Sequence, residues 1–216
     1  MSDRPNLTMM YAVHLAFRRD IDRLAAAVAA GDIDPTRQAA ILSNWNLFHS
    51  LLEHHHQAED RVLWVELLEA DPDAATVVDT MAEQHEALDA ALEATHTRMQ
   101  AWGVNEGEVP LAGLTAVGEL LRAHLTDEEE QALPLVEQHL TAAEWGKFTG
   151  YNMELNAGID WTVPWLAEGK PDEVRAAIWG MLPPELLAGP AQEWSAGYAE
   201  NVNTAFGVTA AVAPPV

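Results

Sequence analysis

The chain has 216 residues, 49% of them apolar, with 34 acids against 11 lysines and arginines, nine histidines and no cysteine. A net charge of −23 repels nucleic acid and anionic lipid, so neither nucleic acid nor a membrane is an expected partner; the missing thiols exclude disulfides, thiolate metal sites and a cysteine nucleophile. The length fits one domain, or one domain with an appendage, and the excess of Ala and Leu over β-branched residues favours an all-α protein.

Met1 to Tyr11 has no basic segment followed by an apolar one, and no apolar run reaches about 18 residues, so a cytoplasmic location is the expectation. From there a heptad stripe runs through Leu7, Met10, His14, Phe17, Ile21, Leu24 and Val28, interrupted only by His14. Gly31 ends this first helix, and Asp34 with Pro35 opens the next as N-cap and first-turn proline. The second helix is expected to reach about Glu69, before the Asp71-Pro72 break. Its stripe is Ile41, Trp45, Phe48, Leu52 and Val62, which puts His55 and Glu59 in core positions one turn apart. Because successive helical residues are about 100° apart, this register admits only one of His54, His55 and His56 squarely inward, and it selects His55.

A third helix, about Asp73 to Trp102, carries Val78, Met81, His85, Leu88, Leu92, Thr95 and Met99, again with one histidine in the seam. Gly103 to Pro110 reads as a loop. The fourth helix carries Leu114, Val117, Leu121, His124, Glu128, Gln131 and Leu135, with Pro134 expected to kink or end it.

These four helices predict an antiparallel up-down-up-down four-helix bundle over residues 1–140. Its two hairpins look duplicated: His14 and His85 are 71 residues apart, while His55 and His124, and Glu59 and Glu128, are each 69 apart. Counted from the helix ends at about 1.5 Å per residue, the histidines fall within about 10 Å of one level. Residues 141–208 form a Trp-rich C-terminal helical extension expected to pack on the bundle or to make a subunit contact, the latter giving an oligomer through these helices. It opens on a Thr141–Glu144 capping box with a helix to about Ala167, followed by shorter helices near Glu173 to Met181 and Glu185 to Asn201. It contains no histidine, and 209–216 is expected to be a disordered tail.

An imidazole and a carboxylate buried in an apolar seam are costly unless satisfied, and no cationic side chain shares these seams. A metal ion satisfies both. Four imidazoles and two carboxylates without sulfur suit iron, manganese or zinc, and two carboxylates able to bridge favour two ions over one. The metal ligands are therefore expected to be His14, His55, Glu59, His85, His124 and Glu128. His56, Asp89 and Tyr11 stand beside them as additional ligands or as partners that orient ligands, and Asp60, Glu129 and Glu130 as solvated acids or partners for imidazole N–H groups. Ferritin-like diiron bundles use Glu-x-x-His, the opposite order at a shorter step.

Two runs carry a family resemblance: His55-His56-Gln57-Ala58-Glu59-Asp60 with Leu63-Trp64, and His124-Leu125-Thr126-Asp127-Glu128-Glu129 with Leu133-Pro134-Leu135. With His14 and Gln84-His85-Glu86, they resemble the hemerythrin-like, His-His-Glu cation-binding domain over about residues 7–140. The resemblance implies two iron ions in a non-haem diiron centre that meets O2, peroxide or nitric oxide. The chain departs from oxygen-carrying hemerythrins at Asp89, where they have a second histidine, which implies a site poorer in nitrogen and argues against reversible O2 carriage. Val65 stands where many relatives have proline. Beside the small-molecule reading stand a diiron oxidase or oxygenase, with a small organic substrate in a pocket shaped by the C-terminal helices, and an iron-responsive binding module.

Overall fold

The structure, a computed structural model, describes residues 3–31, 33–104, 107–155 and 158–214. Among these, all regular structure is helical, and no helix is long and apolar enough to cross a membrane.

The first helix, α1 (Thr8–Ala29), buries every residue of its stripe, His14 included. The second rod is α2 (Pro35–Ala58), a π-helical turn (Glu59–Leu63) and α3 (Trp64–Ala70). Asp34 caps it as expected, its Oδ1 accepting from Thr36 N at 2.8 Å and Arg37 N at 2.9 Å, with Pro35 in the first turn. A 3₁₀ turn (Pro72–Ala74) leads into α4 (Ala75–Gly103), whose predicted stripe is again wholly buried. The fourth rod repeats the second: α5 (Leu111–Asp127), a π turn (Glu128–Ala132) and α6 (Leu133–His139). α1 packs against α2 and α5, and α4 against the same two. At Gly113 the approach of α5 to α4 is close enough that a Cβ would lie 2.7 Å from Thr95 Oγ1.

The π turns overturn the stripes beyond the glutamates. Each inserts one residue into the 3.6-residue spacing, so Leu63 rather than Val62 is fully buried in the second rod. In the fourth, Ala132, Leu133 and Val136 face inward, while Gln131 is exposed and Leu135 half-buried. Pro134 does not end the rod. It sits in the first turn of α6, immediately after the hydrogen-bond pattern has already changed.

The C-terminal chain forms α7 (Ala142–Leu155), α8 (Ile159–Ala167), α9 (Asp172–Trp179), α10 (Pro184–Leu187) and α11 (Pro190–Phe206). The capping box is present: Glu144 Oε2 accepts from Thr141 N at 2.7 Å and Thr141 Oγ1 from Glu144 N at 3.3 Å. The single helix expected from there to Ala167 is instead two, α8 restarting from Gly158, a poor helix former. α7 packs on α2 and the first π turn, α8 on α1, and α11 on α2 and α8. The expected frayed tail is also corrected as far as Pro214: Ala210 and Val212 are buried, and Val212 O accepts from Trp179 Nε1 at 2.9 Å; residues 215–216 lie outside the described residues.

Two apolar clusters result. One holds Phe17, Ile21, Trp45, Phe48, Leu52, Leu88 and Leu121 together with Trp165, Trp179 and Tyr198 of the C-terminal helices. The other holds Met10, Leu63, Trp64, Leu67, Met81, Leu133 and Phe148. Between them in the four rods lies a layer of polar side chains.

Candidate metal centre

The layer contains His14 from α1, His55 and His56 from α2, Glu59 and Glu128 from the two π turns, His85 from α4 and His124 from α5, all buried. The structure therefore brings all six expected ligands together and adds His56 as a full member. Their donor atoms form two groups, each with its atoms within 4.8 Å of one another: His14, His55, Glu59 and Glu128 in one, His56, His85 and His124 in the other.

The glutamates span both groups. Glu59 Oε1 lies 3.0 Å from His55 Nε2 while its Oε2 lies 3.4 Å from His85 Nε2. Glu128 Oε2 lies 3.2 Å from His14 Nε2 and 3.8 Å from His124 Nε2. The Nε2 atoms of His14 and His55 approach to 3.3 Å, and the His56 ring stacks on His85 at 4.2 Å. Ligands about 2 Å from a common ion are spaced in this range.

These contacts leave much unsatisfied. The Nε2 atoms of His56, His85 and His124 and all four carboxylate oxygens of Glu59 and Glu128 are buried without a hydrogen-bond partner; the His–Glu approaches of 3.0 to 3.8 Å lack hydrogen-bond alignment. Orphaned buried groups are rare and cost on the order of 1–3 kcal/mol each, more when charged. The electrostatics report the same deficit of positive charge. Burial first, then the Glu59 charge, pushes Glu128 up to about 8, and burial likewise raises Glu59. Burial and the neighbouring imidazoles drive His55, His56 and His124 down, towards the neutral form that ligates metal. For His85, desolvation is outweighed by the hydrogen bond to Asp60 and by the adjacent Glu59 carboxylate, which lift it to about 10. Cations held by the two groups would satisfy these atoms.

Outside the cluster, each ring is held by its other nitrogen. His14 Nδ1 meets Glu129 Oε1 at 2.9 Å and His85 Nδ1 meets Asp60 Oδ1 at 2.8 Å, so the acid after each core glutamate serves the single-histidine helix beside it. His124 Nδ1 meets Gln84 Oε1 at 3.1 Å, and His56 Nδ1 meets Asp89 Oδ1 at 2.9 Å. Such partners fix the tautomer with Nε2 free to ligate. Arg18 clamps Glu129 with two bonds, of 2.7 and 3.1 Å.

His56, expected as an additional ligand or an orienting partner, points inward beside His55, against the one-residue register. A heptad stripe admits one inward residue per turn, but α2 faces both α1 and α4: His55 turns to His14 and His56 to His85 and His124. The adjacent His-His pair was the available signal. The site is therefore not poor in nitrogen: His56 fills out the second group, and Asp89 orients His56. Tyr11, at 40% exposure, stays outside the cluster. Arg18 and Gln84 had no assigned role; nothing in the heptad pattern marks a residue that acts through another side chain.

Fold and site together define an all-helical protein with a buried, paired His/Glu cluster for cations. The model of the hemerythrin HHE cation-binding domain matches residues 6–136, and the chain belongs to that family. Searches of curated proteins and of solved structures gave no match.

Proposed function

We propose that the four rods form an antiparallel up-down-up-down four-helix bundle around a non-haem diiron centre that binds or turns over O2, peroxide or nitric oxide. Residues 141–208 are then an extension packed on its α1–α2 side. The observation that carries this reading is the paired set of orphaned donors: seven buried residues in two groups, with both glutamates reaching each group. One ion would be held by His14 and His55, the other by His56, His85 and His124, with Glu59 and Glu128 shared. An iron pair in this ligand set supplies reversible electron transfer and affinity for small oxygen and nitrogen ligands.

The chain's own part is positional. Glu129, Asp60, Asp89 and Gln84 hold the imidazoles with Nε2 inward, and the two apolar clusters exclude bulk water from both ends of the layer. With Glu59 and Glu128 shared, the ion at His14 and His55 would have one imidazole fewer, which would leave that side for an exogenous ligand. The alternative of an organic substrate draws no support from the grooves beside the C-terminal helices. One is lined by Ser50, His54, Trp161 and Thr162 and another by Arg61, Val65, Lys147 and Tyr151, and neither wall includes a cluster residue. Metal analysis and absorption spectra of iron-loaded protein, before and after peroxide, test the reading. Two irons per chain with a spectrum that changes on peroxide addition are expected; one ion without a second site, or tight zinc with no spectral response, would overturn it.

A further inference from the structure

We propose that Trp165, with Tyr198 and Trp161 behind it, is a one-electron relay that carries oxidising equivalents from the metal cluster to the protein surface. This rests on the redox reading above. The path starts at His55, whose ring lies 5.4 Å from Phe17; Phe17 in turn lies 5.2 Å from Trp165. Trp165 is 2% exposed, and its Nε1–H donates to Asp20 Oδ2 at 2.6 Å. Beyond it, the buried Tyr198 hydroxyl donates to Glu168 Oε2 at 2.8 Å, and Arg19 joins the two acids, 2.6 Å from Asp20 Oδ1 and 3.2 Å from Glu168 Oε2. Trp161, one turn before Trp165 on α8, lies 6.0 Å from Tyr198 and is half-buried.

The carboxylate partners set these two side chains apart. Elsewhere in the core, the Trp179 indole donates to a carbonyl and that of Trp45 to His96 Nδ1. Packing alone does not call for carboxylates here, since buried ionic networks are seldom more stabilising than apolar residues of the same volume. Redox chemistry does call for them. Loss of an electron makes an indole N–H or a phenol O–H strongly acidic, so a hydrogen-bonded carboxylate lets the proton leave with the electron. Peroxide is the oxidant of the iron pair. An electron from Trp165 reduces the oxidised cluster by one equivalent while the Nε1 proton passes to Asp20 Oδ2, leaving a neutral indolyl radical. Tyr198 refills Trp165, its own proton passing to Glu168 as Asp20 returns its proton to Nε1. Trp161 refills Tyr198 with the proton from Glu168, and an ascorbate-class one-electron reductant in solution restores Trp161. The relay spares His55 and its neighbours from oxidation when no substrate takes the oxidising equivalent.

The test mixes iron-loaded full-length protein with peroxide, freezes it within milliseconds for electron paramagnetic resonance, and maps added oxygen by peptide mass spectrometry. A protein-centred radical is expected, lost in Trp165→Phe and reduced severalfold in Asp20→Asn, with oxidation moving from Trp161 and Trp165 towards Phe17 and His55 in the Trp165 variant. If Trp165→Phe does not fold, Trp161→Phe replaces it, and a longer-lived radical with slower reduction by ascorbate is expected. A radical of equal yield and lifetime in the variants, or none in wild-type protein that holds two irons and responds to peroxide, overturns the relay alone. Protein without an iron pair by metal analysis removes both the relay and the functional reading.

Discussion

The two halves of the cluster come from one pattern used twice, and they are not equal. The pattern is a histidine and a glutamate from a rod with a π turn starting at that glutamate, His55 and Glu59 or His124 and Glu128, and a histidine from a neighbouring rod, His85 or His14, so each use of it feeds both donor groups. In each, the acid following the glutamate holds that partner histidine. The differences are three. His56 gives one group a third imidazole; Arg18 clamps Glu129 but Asp60 is 44% exposed; and the C-terminal helices reach the His14–His55 side through Phe17 and Trp165. Duplication explains why both carboxylates reach both groups, and the departures from it make one group richer in nitrogen and the other better insulated.

The largest effect should come from a residue shared by both halves. Glu59→Ala is expected to lose both ions, read as metal content and as loss of any thermal stabilisation by iron, because stability gained by binding the folded state vanishes with the site. Retention of two tightly held ions would refute the shared carboxylate. His56→Ala should instead lower the metal content towards one ion per chain, and His55→Ala should spare the ion on the other side. Equal loss of both ions in both variants would show that the halves do not bind separately.

A smaller effect separates the two outer partners. Arg18→Gln leaves every ligand in place but frees Glu129, and should weaken the ion at His14 by about tenfold to a hundredfold, the usual range for a partner one shell out. Competition with a chelator reads this directly, and an unchanged affinity would remove Arg18 from the account. For the register shift, Leu63→Ala should destabilise by about 2–5 kcal/mol and Val62→Ala by under about 1 kcal/mol in urea unfolding. The reverse order would restore the uninterrupted heptad. His54→Ala, whose ring lines the groove with Trp161 instead of joining the cluster, should leave metal content unchanged.

Much of this was legible in the sequence because a buried polar residue in an apolar heptad is conspicuous. The four seams, the capping residues Asp34 and Thr141, and six of the seven cluster residues all follow from period and spacing. A π turn is not legible that way: one inserted residue leaves no mark in composition, and only Leu63 and Ala132 facing inward reveal it. His56 was misplaced for a related reason, since a heptad stripe assumes one neighbour per helix face and α2 has two. The docking of Val212 under Trp179 depends on a contact across 33 residues of chain, which local pattern cannot supply.

Anomalous diffraction at the iron edge from crystals of iron-loaded protein would locate the ions themselves. Two peaks in the polar layer are expected, one among His14 and His55 and the other among His56, His85 and His124, with Glu59 and Glu128 touching both. A single peak, or two peaks with His56 turned away from either, would contradict the paired cluster on which the account stands.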